Sequence, residues 1–138
     1  MMPELAQLKD FAKRYTAAWC SRNAASVAAF FAPNGSLSVN GVPSVGRRAI
    51  TEVAQGFMTA FPDMELFMDD ILMQDDRAVY HWTFIGTNTG PSGTAHRVRF
   101  SGFEEWKFGP DGLVADSQGH FDSSEYRRQL EHGVEEFQ

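Results

Sequence analysis

The 138-residue chain contains a single cysteine, Cys20, so no internal disulfide can form. A reducing compartment costs such a chain nothing. It lacks an apolar run of membrane-spanning length, and no apolar signal-peptide core follows Met1-Met2-Pro3-Glu4. These absences lead to the expectation of a cytoplasmic protein with no membrane partner. Basic clusters are missing too: the formal net charge is −6, and Arg47-Arg48 and Arg127-Arg128 are isolated pairs. That balance argues against nucleic acid as a partner. His81, His96, His120 and His132 fall in no zinc-ligand spacing. There is no glycine-rich phosphate loop, and no Ser or Cys sits in a nucleophile elbow. The expectation is therefore no metal and no cofactor.

Aromatic residues, in contrast, are plentiful, with twelve Phe and three Trp. That exceeds what a minimal core of this length needs, and large aromatics often line ligand cavities. The length fits a single domain over residues 1–138. Apolar residues at Leu5, Leu8, Phe11, Ala12, Tyr15, Ala18 and Trp19 form one stripe of an amphipathic helix from about Pro3 to Ser21. A short helix from about Ala24 to Phe31 is expected to end at Pro33-Asn34-Gly35. Leu37 and Val39 alternate with serines before an Asn40-Gly41 turn, and a third helix runs from about Arg47 to Ala60. Beyond it lie strands at about Glu65–Met73, Ala78–Thr87, Arg97–Phe108 and Leu113–Phe121, then a closing helix at about Ser123–Gly133. Consecutive strands joined by short turns predict an α+β fold with a curved antiparallel sheet and N-terminal helices.

Strand parity sorts the faces. Val98, Phe100, Gly102, Glu104, Trp106 and Phe108 share the expected core face, with Glu104 in its middle. A carboxylate there is expensive unless paired, hydrogen-bonded or protonated. Glu104 is thus a pocket acid with raised pKa, or a structural acceptor for a Tyr, Trp or backbone group, or is turned outward by a bulge. In the last strand, Val114, Asp116, Gln118, His120 and Asp122 share a parity that aims them at the same interior. His120 and Asp122, about 7 Å apart on one face, form a plausible acid/base pair. Asp122 with Glu125 three residues on also matches a helix capping box, which alone could explain Asp122. A histidine such as His120 is also, on its own, a satisfied core or rim residue more often than a catalyst.

The segments Arg47-Arg48-Ala49-Ile50 through Phe61-Pro62-Asp63-Met64, Trp82-Thr83 and Gly86-Thr87-Asn88-Thr89-Gly90 resemble SnoaL-like proteins of the nuclear transport factor 2-like superfamily. So do Ser101-Gly102-Phe103-Glu104, Asp111-Gly112-Leu113-Val114, and Asp122 followed by Gln129-Leu130. The resemblance implies a cone-shaped α+β barrel around a pocket capped by helices, and homodimers packed through the sheet. It also implies relatives that include polyketide cyclases, ketosteroid isomerases and limonene epoxide hydrolases. In the cyclases an aspartate near the end of the last strand is the acid/base, and Asp122 matches it by position. Asn88 stands where many members have His, and Gln118 near where many have Trp.

Two functional readings follow. In the first, a cofactor-independent enzyme acts on a small apolar carbonyl compound. Asp122 takes the α-proton while His120 or Glu104 stabilises the enolate oxygen. Tyr15, Trp19, Phe57, Trp82, Phe84 and Trp106 would supply apolar walls, Met58 and Met68 adaptable filler, and Asn88 and Gln118 polar contacts. In the second, the same pocket binds a small ligand without catalysis. An interaction module working through its sheet surface is a third possibility.

Overall fold

The computed structural model describes residues 3–134. Helix α1 spans Leu5–Cys20 and buries Leu8, Phe11, Ala12, Tyr15, Ala18 and Trp19, the residues of the three- and four-residue stripe. Leu5, at the exposed start of that stripe, stays 45% accessible. Helix α2 spans Ala24–Ala28 and α3 spans Arg47–Ala60, with Ile50, Ala54 and Met58 buried.

Six strands follow the helices or interleave with them: β1 Phe31–Val39, β2 Val42–Val45, β3 Glu65–Gln74, β4 Arg77–Thr87, β5 Arg97–Phe108 and β6 Val114–Phe121. They form one sheet in the order β2-β1-β6-β5-β4-β3. The sheet is curved and open, with β2 and β3 at its two borders. Helix α4, Ser123–His132, closes the described chain. The buried Gln129 ties α4 to the sheet, its Oε1 accepting from the Arg99 backbone N–H at 2.6 Å.

Two local expectations change. The second helix stops at Ala28, and Phe31 begins a strand, because its ring is wholly buried in the core. Pro33-Asn34-Gly35 therefore lies inside β1, where the register with β6 shifts between Phe31 and Ser36. Such an irregularity is where a strand tolerates a proline that donates no hydrogen bond. The sheet is also mixed: β1 and β6 pair in parallel, while the other neighbours are antiparallel. The chain between β1 and β6 runs through α3 and four strands, a connection far longer than a hairpin turn.

Turn chemistry fixes the β1–β2 hairpin. Asn40 and Gly41 have φ of 49° and 85°, the left-handed pair that a type I′ turn needs. On the inner face of the sheet the largest side chains interlock. Trp106 and Tyr80 stack at 4.9 Å, and Tyr15 meets Trp106 edge-on at 5.1 Å.

Candidate functional site

Alternation along β5 sends Val98, Phe100, Glu104, Trp106 and Phe108 inward, so Glu104 lies among rings and is only 7% exposed. Three neutral donors converge on it. The Tyr15 hydroxyl donates to Oε1 at 3.0 Å and Oε2 at 3.1 Å, Trp106 Nε1 to Oε1 at 2.9 Å, and the Ser117 hydroxyl to Oε1 at 2.7 Å. Burial pushes the Glu104 carboxyl above its ordinary value, and the bonds from Trp106, Ser117 and Tyr15 oppose that rise. Burial and the nearby Glu104 charge push Tyr15 well above the usual tyrosine range, so it remains a protonated donor. Burial also raises Tyr80, whose hydroxyl lies 2.5 Å from Thr16 Oγ1. The Trp19 indole lies close enough to the Tyr15 hydroxyl to oppose the rise there, yet its buried Nε1 forms no well-aligned hydrogen bond.

Glu104 borders a cavity of about 60 Å³, partly open to solvent. Its walls come from every layer: Trp19 of α1, Val53 and Phe57 of α3, and Leu37 and Val39 of β1. Leu66 of β3, Trp82 and Phe84 of β4, Phe100 of β5, and Gly119 and Phe121 of β6 complete them. Glu104 is the one ionisable group among these residues. Two glycines make the room. A Cβ on Gly119 would sit 3.1 Å from the Ser38 carbonyl and 3.7 Å from Glu104 Cγ. A Cβ on Gly102 would strike Trp82 Cζ2 at 2.5 Å and the His120 carbonyl at 2.4 Å, so only glycine lets the Trp82 ring lie where it does.

The expected convergence of Glu104 with Gln118, His120 and Asp122 is not what the chain adopts. Val114 faces inward opposite Phe108, but the next pair in the ladder is Lys107 with Asp116, leaving Ala115 as an extra residue. This bulge inverts the parity of everything beyond it. Ser117, Gly119 and Phe121 turn inward, and Asp116, Gln118 and His120 turn to the outer face. There the Gln118 amide donates to the Asp116 carboxylate at 3.1 and 3.2 Å. His120 Nε2 lies 3.3 Å from Glu105 Oε1, its ring packed on Phe103 at 4.9 Å. Asp122 is exposed and caps α4, its Oδ1 accepting from the Ser124 and Glu125 backbone N–H groups at 3.0 and 3.1 Å.

The remaining named residues divide. Trp19, Phe57, Trp82 and Phe84 line the cavity, while Tyr15 and Trp106 stand behind it as donors to Glu104. Met58 is buried in the core and Met68 packs against it, both outside the cavity lining. Asn88 staples the β4–β5 loop: its side-chain N donates to the Ala60 carbonyl at 3.1 Å, and its side-chain O accepts from Thr94 N at 2.8 Å. Sequence reasoning passed over Ser117, Gly119 and Phe121. Their signal was a lone large aromatic, Phe121, on a parity otherwise read as solvent-facing. Among the described residues no group of three or more His, Cys, Asp or Glu side chains could hold a metal ion.

Residues 12–117 match the SnoaL-like domain family. No curated protein matches the chain. Among solved structures it is similar to TsrD from Streptomyces laurentii, with 20% identity and a TM-score of 0.80 over 94% of this chain and 98% of that one. It is also similar to a Jannaschia protein provisionally named a SnoaL-like polyketide cyclase, with 12% identity and a TM-score of 0.79 over 97% and 98%. A third is a Catenulispora acidiphila protein with a ketosteroid isomerase-like fold, solved in complex with trimethylamine, with 14% identity and a TM-score of 0.76 over 94% of each chain. At these identities the likeness is one of fold.

Proposed function

The chain belongs to the SnoaL-like domain family, and from that premise we propose that it binds a small, largely apolar molecule in the cavity beside Glu104. The observation that carries this reading is the pairing of an aromatic-walled space with one buried carboxylate held by three donors. Ligand pockets commonly combine apolar walls with very few placed polar groups. The volume, about 60 Å³, is well below the roughly 300–1,000 Å³ of drug-sized pockets. It favours a ligand or headgroup of a few heavy atoms over a polycyclic ring system. That the Catenulispora protein of the same fold was solved with trimethylamine is in keeping with this scale.

A titration followed through the indole N–H signals of the three tryptophans tests it. Small apolar compounds should shift Trp19 and Trp82, which line the cavity. If no such compound moves either signal, the reading falls.

A second reading, proton transfer on a small carbonyl compound, is favoured by the raised pKa of Glu104, since a carboxyl tuned upward is a better base near neutral pH. In it Glu104 takes the acid/base role that Asp122 and His120, outside the cavity, cannot share. Deuterium exchange at the α-carbon of a small diketone should then be catalysed by the protein and lost in Glu104→Gln. Exchange at equal rates in both would refute it.

The same proposal includes a single domain over residues 1–138, a cytoplasmic location and a homodimer packed through the outer sheet face. The free, half-buried Cys20 suits a reducing compartment. Phe67 and Leu72, 43% and 46% accessible, are apolar groups on the outer face that a second copy would cover. A strict monomer by light scattering at micromolar concentration would overturn the dimer. No helix of the described residues is long and apolar enough to cross a membrane.

A further inference from the structure

A buried carboxylate is stabilised by a cation, by hydrogen bonds or by a proton. Glu104 is buried among aromatic rings, yet the ion pairs formed by the described residues lie elsewhere, between groups such as Arg14 and Asp10 or Arg128 and Glu125. Its three partners, Tyr15, Trp106 and Ser117, are all neutral donors. They stabilise a negative charge without cancelling it. The two oxygens are unequally used: Oε1 accepts from all three partners, whereas Oε2 accepts only the longer branch of the shared Tyr15 bond. An ionised carboxylate offers about four acceptor sites over its two oxygens, and with three donors crowded on Oε1 the remaining capacity lies on Oε2.

The walls around this carboxylate are the second, independent observation. Trp19, Phe57, Trp82, Phe84, Phe100 and Phe121 place six aromatic rings about one small space. Aromatic faces carry negative potential and attract cations that are poorly hydrated, alkylated ammonium groups above all. A strongly hydrated metal ion or primary amine would lose its water to a wall with only one polar group. An alkylammonium headgroup carries its charge beneath methyl groups and suits both the rings and the acid.

We propose that the cavity beside Glu104 selects a small alkylammonium headgroup, with Glu104 as counter-ion and the aromatic rings as a cage. This deepens the pocket reading above and rests on it. The limited volume admits the headgroup, and the partial opening lets a ligand tail leave towards solvent. The proposal concerns binding and requires no bond to be made or broken.

Choline and its neutral isostere 3,3-dimethylbutan-1-ol differ only in a charged nitrogen replaced by carbon. Each is titrated against the full chain at neutral pH, with the indole N–H signals of Trp19 and Trp82 as readout. Choline should bind about tenfold or more tightly than the alcohol, in line with a desolvated cation–aromatic contact. Glu104→Gln should erase that preference, the two ligands then binding with nearly equal affinity. If the alcohol binds as well as choline, the cation proposal is overturned and the pocket reading stands. If neither ligand shifts either indole, both are overturned. Should Glu104→Gln fail to fold, Trp82→Leu carries the test with the Trp19 indole as readout, since it leaves the carboxylate in place. A severalfold loss of choline preference there supports the cage, and an unchanged preference overturns it.

Discussion

Replacing Glu104 by Leu and by Gln separates the carboxylate's bonds from its charge. Leu removes the acceptor that serves the Tyr15 hydroxyl, the Trp106 indole and the Ser117 hydroxyl, all in buried residues. A buried donor left without a partner costs about 1–3 kcal/mol. Three of them sum to about 3–9 kcal/mol, and neighbouring groups of one network add less than fully. Water entering the adjacent cavity would satisfy part of the demand, so the expected loss is about 3–5 kcal/mol. That is a large share of the roughly 5–15 kcal/mol that holds a domain together. For a chain of this size it lowers Tm by about 10–20 °C. Gln keeps an acceptor oxygen and removes the cost of burying a charge, so its loss should stay within about 1.5 kcal/mol. Urea unfolding, followed by tryptophan fluorescence and far-UV circular dichroism together, measures both. A Leu variant within about 1 kcal/mol of the parent would refute the claim that these bonds organise the core. A Gln variant as damaged as Leu would refute the separation of bond from charge.

Because burial raises the folded Glu104 pKa above its ordinary 4.5, the folded state holds that proton to higher pH than the unfolded chain does. Stability should therefore fall as pH climbs from about 4.5 through the raised value. Asp63, held low by its bond from Thr87 N, acts in the opposite sense below its ordinary 3.8. The difference between the parent and Glu104→Gln isolates the first effect, and a flat difference from pH 4 to 8 would contradict it. Asp122→Ala should cost about 1 kcal/mol by removing a helix cap while leaving ligand affinity unchanged; a tenfold loss of affinity would return Asp122 to the binding site. Gly102→Ala forces a Cβ against the His120 carbonyl and the Trp82 ring, and should cost about 1–3 kcal/mol together with a shifted Trp82 indole signal. An unshifted signal and unchanged urea midpoint would show that the two groups yield freely.

What the sequence disclosed was whatever has a local period. The α1 stripe from Leu8 to Trp19, the α3 helix and the extents of β3, β4 and β5 follow from alternation and spacing that each segment carries within itself. Glu104 was legible for the same reason, as a lone carboxylate in a row with Phe100, Trp106 and Phe108. Three features had no local signature. The strand beginning at Phe31 is defined by a partner more than eighty residues away. The parallel β1–β6 pairing is a choice between distant segments that no turn announces. The bulge at Ala115 is a single extra residue, and one residue is enough to exchange the faces of a strand. Extrapolating parity through it moved Gln118 and His120 to the wrong side and hid Ser117, Gly119 and Phe121.

An unclosed sheet leaves two free borders, and each carries its own obstacle to polymerisation. At one, β2 is only four residues long and includes Pro43, which offers no N–H to an incoming strand. At the other, the ladder of β3 skips a residue between Met68 and Asp70 and presents Asp69 and Asp70 in accessible positions, a kinked and negatively charged rim. Templated growth from either border is thereby disfavoured, so the exposed valines of β2, Val42 and Val45, do not amount to an aggregation seed.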